Sequence, residues 1–171
     1  MSTQSLALKV YKLLPESVRD TAFIRLFAFF KIPLISFCEP SVQELSAQRC
    51  VVKIPLNRRT KNHLDSMYFG VLSVGADVAG GLIAMKAIQE KGGVVNLVFK
   101  DMKAEFLKRA EDDVLFTCED GAACTDLVAR AMASGERENC PVNIVATCPT
   151  QGSEPVAKFT LTLSLKKRSD S

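Results

Sequence analysis

SMYFGVLSVGADVAGGLIAM, residues 66–85, is apolar almost from end to end. Twenty residues rising about 1.5 Å each would cross a bilayer by length alone. Yet Asp77 stands in the middle, where a carboxylate costs roughly 2.5–3.5 kcal/mol on insertion scales. The chain beyond it alternates like soluble sheet. The segment therefore reads as a core helix from about 66 to 90, stopped by Gly92-Gly93. A helix apolar on nearly every face needs sheet wrapped around it. Ser73, Gly75, Ala76, Ala79, Gly80 and Gly81 would let other backbone approach closely.

Working outward, the flanks supply that sheet. Upstream, Cys50, Val52, Ile54 and Leu56 alternate, with Ser46-Ala47-Gln48 as a turn from an earlier short strand. Downstream, 94–110 is long for one strand. Val95, Leu97 and Phe99 share one register and Met102, Ala104 and Phe106 the other, which predicts a bulge near Lys100. Residues 113–120 and 140–148 read as strands around a surface helix, 121–137, with Leu127, Val128 and Ala131 as its apolar stripe. PVAKFTLTLSLKK (155–167) has the cleanest period of two, and the last residues read as a frayed tail. The expected class is α+β: about six mostly antiparallel strands curved around one long helix, over residues 39–168. Residues 1–38 form a helical extension, with helix over about 4–32 broken at Pro15. Within it, FIRLFAFFKIPLISF (23–37) places Phe23, Leu26, Phe27 and Phe30 on one face. That face is expected to cap the domain or a partner subunit, with contact to a membrane surface as the alternative.

Composition narrows the chemistry. With 47% hydrophobic and 24% charged residues, the 171-residue chain is an ordinary globular sequence. Six cysteines form no CxxC pair, and the one histidine is His63, which argues against a zinc ribbon or a multi-histidine metal centre, so no metal or cofactor is expected. A net charge of +3 is no nucleic-acid footprint. Residues 1–20 lack a secretory signal, so a cytoplasmic protein with reduced thiols is expected.

Asp77 is the only charged side chain between Asp65 and Lys86. Surrounded by Gly, Ala and Val, it must find hydrogen bonds, hold its proton more tightly, or face a watery cavity. A structural carboxylate bonded to a neighbouring strand or to a dimer mate is the alternative. Asn62, read alone, is a turn or cap residue. His63 has no GxSxG nucleophile to serve. Met67-Tyr68-Phe69-Gly70 opens the helix, where free N–H groups and the positive dipole end can hold a developing oxyanion.

The run NHLDSMYFGVLSVGADVAGG (62–81) resembles the hotdog-fold thioesterases. It is most similar to the phenylacetyl-CoA thioesterase-like branch and to a relative known as a domain of unknown function. Those proteins carry Asn or Gln, a His-Gly-Gly turn opening the central helix, then Asp or Glu within it. Here Asn62 precedes Asp77 by fifteen positions, and Tyr68-Phe69-Gly70 stands at the turn. The resemblance covers about 39–166 and implies a hotdog fold and an acyl-CoA or other acyl-thioester substrate. An amide of Phe69 or Gly70 would polarise the carbonyl. Asp77 would act as base or nucleophile, and Asn62 would orient water or the carboxylate. His63, Tyr68 and the basic group Arg58, Arg59 and Lys61 would contact substrate, the last three at the coenzyme A phosphates. Hotdog sites usually lie at a dimer interface, so a homodimer or larger homo-oligomer is expected, with Asn62 and Asp77 meeting across it. A bulky Phe69 at a glycine site is expected to narrow the acyl pocket. The competing reading is a non-catalytic acyl-CoA or lipid-binding module.

Overall fold

The period-2 segment Pro155–Lys167 is one strand throughout, with Phe159, Leu161, Leu163 and Leu165 buried. It lies near one edge of a six-stranded antiparallel sheet that curves over the apolar helix. The computed structural model describes residues 14–92 and 94–168. In chain order the elements are α1 (Glu16–Lys31), α2 (Pro33–Phe37), β1 (Ser41–Leu45), β2 (Cys50–Ile54), α3 (Phe69–Glu90), β3 (Val95–Phe106), β4 (Val114–Cys118), α4 (Gly121–Ser134), β5 (Glu138–Thr147) and β6 (Pro155–Lys167). The strand order is β1-β2-β4-β5-β6-β3, so β1 and β3 are the two edges. The expected helix before residue 14 lies outside the described residues, as do Gly93 and the last three positions.

The central helix begins at Phe69, three residues later than its apolar run suggests. Met67 is held outside it: its N–H donates to the Ala110 carbonyl at 2.8 Å, and it bridges to Lys61. Its far end comes at Gly92, whose φ of +62° no β-carbon residue adopts without strain. Val71, Leu72, Ala76, Ala79, Leu82 and Ile83 bury against the sheet. Gly75 is where the helix passes over the fully buried Phe116 of β4, and a methyl group there would overlap the ring. The register of β3 against β6 shifts between Phe99 and Asp101, so the bulge falls where the alternation changes face.

The N-terminal helices correct one expectation. α1 buries Ile24 and Ala28 and half-buries Phe27, whereas Phe23, Leu26 and Phe30 are 41%, 63% and 70% exposed. Large apolar residues occur on every side of the stretch, with Arg25 and Lys31 far apart around it, so its periodicity does not say which side faces in. The β1 edge decides instead. Thr21 Oγ1 accepts the Val42 N–H at 2.8 Å, and Arg25 donates to the carbonyls of Pro40 (3.0 Å) and Glu39 (3.2 Å). These bonds cover an open strand edge and fix the helix face.

Candidate active site

Two regions carry the candidate residues. The first is a cleft of about 530 Å³ at the start of α3, lined by Asn62, His63, Tyr68, Phe69, Phe106, Lys108 and Arg109 among others. Its geometry follows from the turn before the helix. Asn62 Oδ1 accepts the backbone N–H of Leu64 at 2.8 Å and of Ser66 at 3.3 Å, and the Ser66 hydroxyl. The side-chain oxygen of Asn62 is thus used to build the turn, which leaves its Nδ2 as the group that can donate. Val71 and Leu72 N–H both return to the Tyr68 carbonyl, at 2.9 and 3.1 Å. Phe69 and Gly70 N–H have no backbone acceptor among the described residues. They are the free donors at the positive end of a 22-residue helix, suited to a carbonyl oxygen that gains charge.

Phe69 packs edge-on against both Tyr68 and Phe106, with ring centroids 4.8 and 6.0 Å away. Phe106 ends β3, so the antiparallel return of that strand brings Lys108 and Arg109 to this cleft. Sequence reasoning missed these two cations. The basic residues it favoured lie elsewhere: Arg59 pairs with Glu39 at 2.7 Å and stands 5.5 Å over the Phe37 ring, Lys61 pairs with Asp65, and Arg58 is exposed. None of the three lines this cleft.

The second region surrounds Asp77, two turns further along α3 and about 12 Å up its axis at 1.5 Å per residue. Asp77 borders two cavities. One, of about 330 Å³, lies towards the β3 bulge with Ser73, Phe99, Lys100 and Met102. The other, of about 240 Å³, lies beneath α1 and α2. Among the described residues Asp77 makes no hydrogen bond or ion pair, and burial alone pushes its carboxyl above the usual carboxylate range. Within one chain, then, the free amides and Asn62 form one cluster and Asp77 another.

The sheet order, the wrapped central helix and the cleft at its start define a thioesterase-like hotdog fold. The chain belongs to the family called domain of unknown function DUF4442, whose model matches residues 20–165. No curated protein matches the sequence. Among solved structures, a protein of unknown function from Pseudomonas aeruginosa described as a "probable thioesterase" is 22% identical, with a TM-score of 0.72 over 91% of this chain and 97% of that one. A protein of unknown function from Chlorobaculum tepidum is 14% identical, with a TM-score of 0.76 over 89% and 97%. A thioesterase from Staphylococcus aureus is also 14% identical, with a TM-score of 0.59 over 78% and 98%. It has been solved with a glutamine and, separately, a glutamate replaced by alanine, at positions fifteen residues apart.

Proposed function

We propose that the protein hydrolyses an acyl thioester, an acyl-CoA or an equivalent carrier-bound acyl group, as a cytoplasmic homodimer. The observation that carries the proposal is Asp77: a half-buried carboxylate without a partner among the described residues, on an otherwise apolar stretch of helix, bordering two cavities. In the proposed reaction Asp77 takes a proton from water as that water attacks the thioester carbon. The carbonyl oxygen becomes an oxyanion against the Phe69 and Gly70 amides, and the thiolate leaves as the acid forms. Asn62 Nδ2 orients the water or the carboxylate.

The two clusters come together by symmetry. β3 is a twelve-residue edge strand with Val98 and Met102 exposed, and such an edge is open to pairing with a second copy. Antiparallel pairing about an axis between Met102 and Lys103, towards the Phe106 end of β3, would set Phe106 against Phe99 of the partner subunit. Phe106 sits at the amide cleft and Phe99 at Asp77, so the cleft of one subunit faces the carboxylate of the other. Lys108 and Arg109, at that cleft, are placed for coenzyme A phosphates in preference to Arg58, Arg59 and Lys61. The exposed Phe29, Phe30 and Leu34 beside Lys31 offer a surface for anionic membrane, from which an acyl substrate can be drawn.

The second reading, a binding module without turnover, is favoured by Phe69 at the turn and by the engaged oxygen of Asn62. A panel of acyl-CoA esters assayed for thiol release decides between the readings. Release from at least one ester is expected. Saturable binding of the esters without release would establish the module instead, and neither binding nor release would sink both.

A further inference from the structure

Among the described residues, Asp77 is the only ionisable one lining the 240 Å³ cavity beneath the N-terminal helices. Its walls are Ile24 and Phe27 of α1, Ile35 of α2, Leu82 and Met85 of α3 and Leu97 of β3, with Phe99 shared with the neighbouring cavity. Two of those elements, α1 and α2, precede the sheet, so the roof of the cavity is built by the helical extension. We propose that this cavity holds the acyl chain of a medium-length, straight-chain acyl thioester, with the thioester at Asp77 and the chain running along α3 towards Met85. The proposal rests on the thioesterase reading for its choice of thioester.

Size and chemistry both support this occupant. A methylene takes about the volume of one liquid water, about 30 Å³, so the cavity holds about eight carbons. An apolar cavity of this kind has few partners for water and favours hydrocarbon. The neighbouring 330 Å³ cavity shares Asp77 and Phe99 and has both Lys100 and Asp101 on its wall, which leaves a separate path for the polar part of the substrate. The carboxylate thus stands at the threshold between an apolar recess and a more polar cavity.

Gly81 makes the idea testable. It lines the recess, and a methyl group on it would meet the Phe99 ring at 3.9 Å, an ordinary contact. A larger side chain there grows into the cavity without disturbing backbone, and replacing a mid-helix glycine favours the helix. Gly81→Leu adds four carbons, half the capacity of the recess. Met85→Ala removes three heavy atoms from its wall and should lengthen it.

The experiment measures the rise in melting temperature caused by S-alkyl-CoA thioethers of two to sixteen carbons, which cannot be hydrolysed, alongside thiol release from the matching esters. Affinity should increase about fourfold per methylene up to about eight carbons and then stop. The limit should fall to about four carbons in Gly81→Leu and rise to about eleven in Met85→Ala. A profile independent of chain length, or a limit that neither variant moves, overturns the recess. A chain-length limit without thiol release supports the recess and removes the hydrolase. Thiol release with a flat profile does the reverse.

Discussion

Replacing Asp77 by asparagine keeps the size of the side chain and removes the charge. Its consequences for stability and for turnover have opposite signs. Burial holds the folded carboxyl above its ordinary value of 3.8, and no partner among the described residues offsets that burial. The protonated form is therefore the better tolerated one. Its contribution to stability is complete below pH about 3.8 and is lost as pH rises through the folded pKa. Asparagine suffers no such loss, so the variant should match the wild type in acid and exceed it at pH 7. An unsatisfied buried polar group costs about 1–3 kcal/mol. The amide is still polar and Asp77 is only half-buried, so a gain of about 0.5–1 kcal/mol is expected. For a chain of this length that is a rise of about 1–4 °C in Tm. Loss of a general base should lower kcat by roughly 10²–10⁴, about 3–5 kcal/mol of transition-state stabilisation. Both quantities are to be measured on one preparation of Asp77→Asn, the Tm at pH 4 and pH 7 and the kcat with the best ester of the panel. Full turnover per folded molecule refutes Asp77 as the base. A Tm that falls at pH 7 refutes the claim that its charge is unpaired.

Gly75→Ala should lower stability by about 1–3 kcal/mol despite the better helix former, because its methyl would lie 2.6 Å from Phe116 Cδ2 and closer still to other ring atoms. Phe116→Leu in the same chain should recover part of that loss in a urea titration, and a Gly75→Ala protein of unchanged stability would refute the packing argument. Burial pushes the thiols of Cys50 and Cys124 up to about 12 and that of Cys118 up to about 11. Unfolded thiols ionise near 9, so stability from these three should fall above pH 9 by about 1.4 kcal/mol per pH unit each, or about 4 together, and urea midpoints that do not change between pH 8 and 10 would contradict this. Light scattering should give twice the 18.7 kDa chain mass at micromolar concentration, and a monomer at that concentration would remove the shared site. Sedimentation with anionic vesicles should be lost in the double variant Phe29→Glu, Phe30→Glu, whose parent residues are 65% and 70% exposed; binding that survives it would exclude this face.

What could be read from the sequence depended on how one-sided each pattern was. Residues 157–166 alternate apolar and polar without a fault, and the strand runs over the expected 155–167. The change of register near Lys100 could be read because each half of β3 keeps its own alternation. Asn62 as a turn builder was legible from its residue type, and its Oδ1 indeed accepts the turn's N–H groups. α1 was opaque in one respect: its apolar and charged residues are spread around the helix, so the period of 3.6 carries no direction, and the contact with Val42 that sets the direction is tertiary. Lys108 and Arg109 were invisible for a similar reason. Nothing local marks a Lys-Arg pair after a strand, and only the return of β3 alongside α3 carries them to the cleft. In the proposed dimer Asn62 would meet Asp77 of the partner subunit, an arrangement that neither one sequence nor one subunit can display.

The position of Phe69 bears on whether this site can turn over. The resemblance to hotdog thioesterases sets Phe69 at a glycine site of the turn and so implies a narrowed acyl pocket. Within one chain its ring occupies the cleft at the start of α3, against Tyr68 and Phe106, and lines neither of the cavities that border Asp77. The backbone N–H of Phe69 has no backbone acceptor among the described residues, and an oxyanion needs that N–H and not a side chain. In the proposed dimer the ring of the partner subunit's Phe69 would border the cavity on the β3 side of Asp77, where the thiol part of the substrate enters. The recess beneath α1 and α2 would be untouched. The substitution should then raise KM through the leaving-group side and leave the preferred acyl length unchanged. Phe69→Gly tests this directly: a lower KM for coenzyme A esters at an unchanged chain-length optimum is expected. A shifted optimum would mean that Phe69 meets the acyl chain after all, and that the chain does not lie under the N-terminal helices.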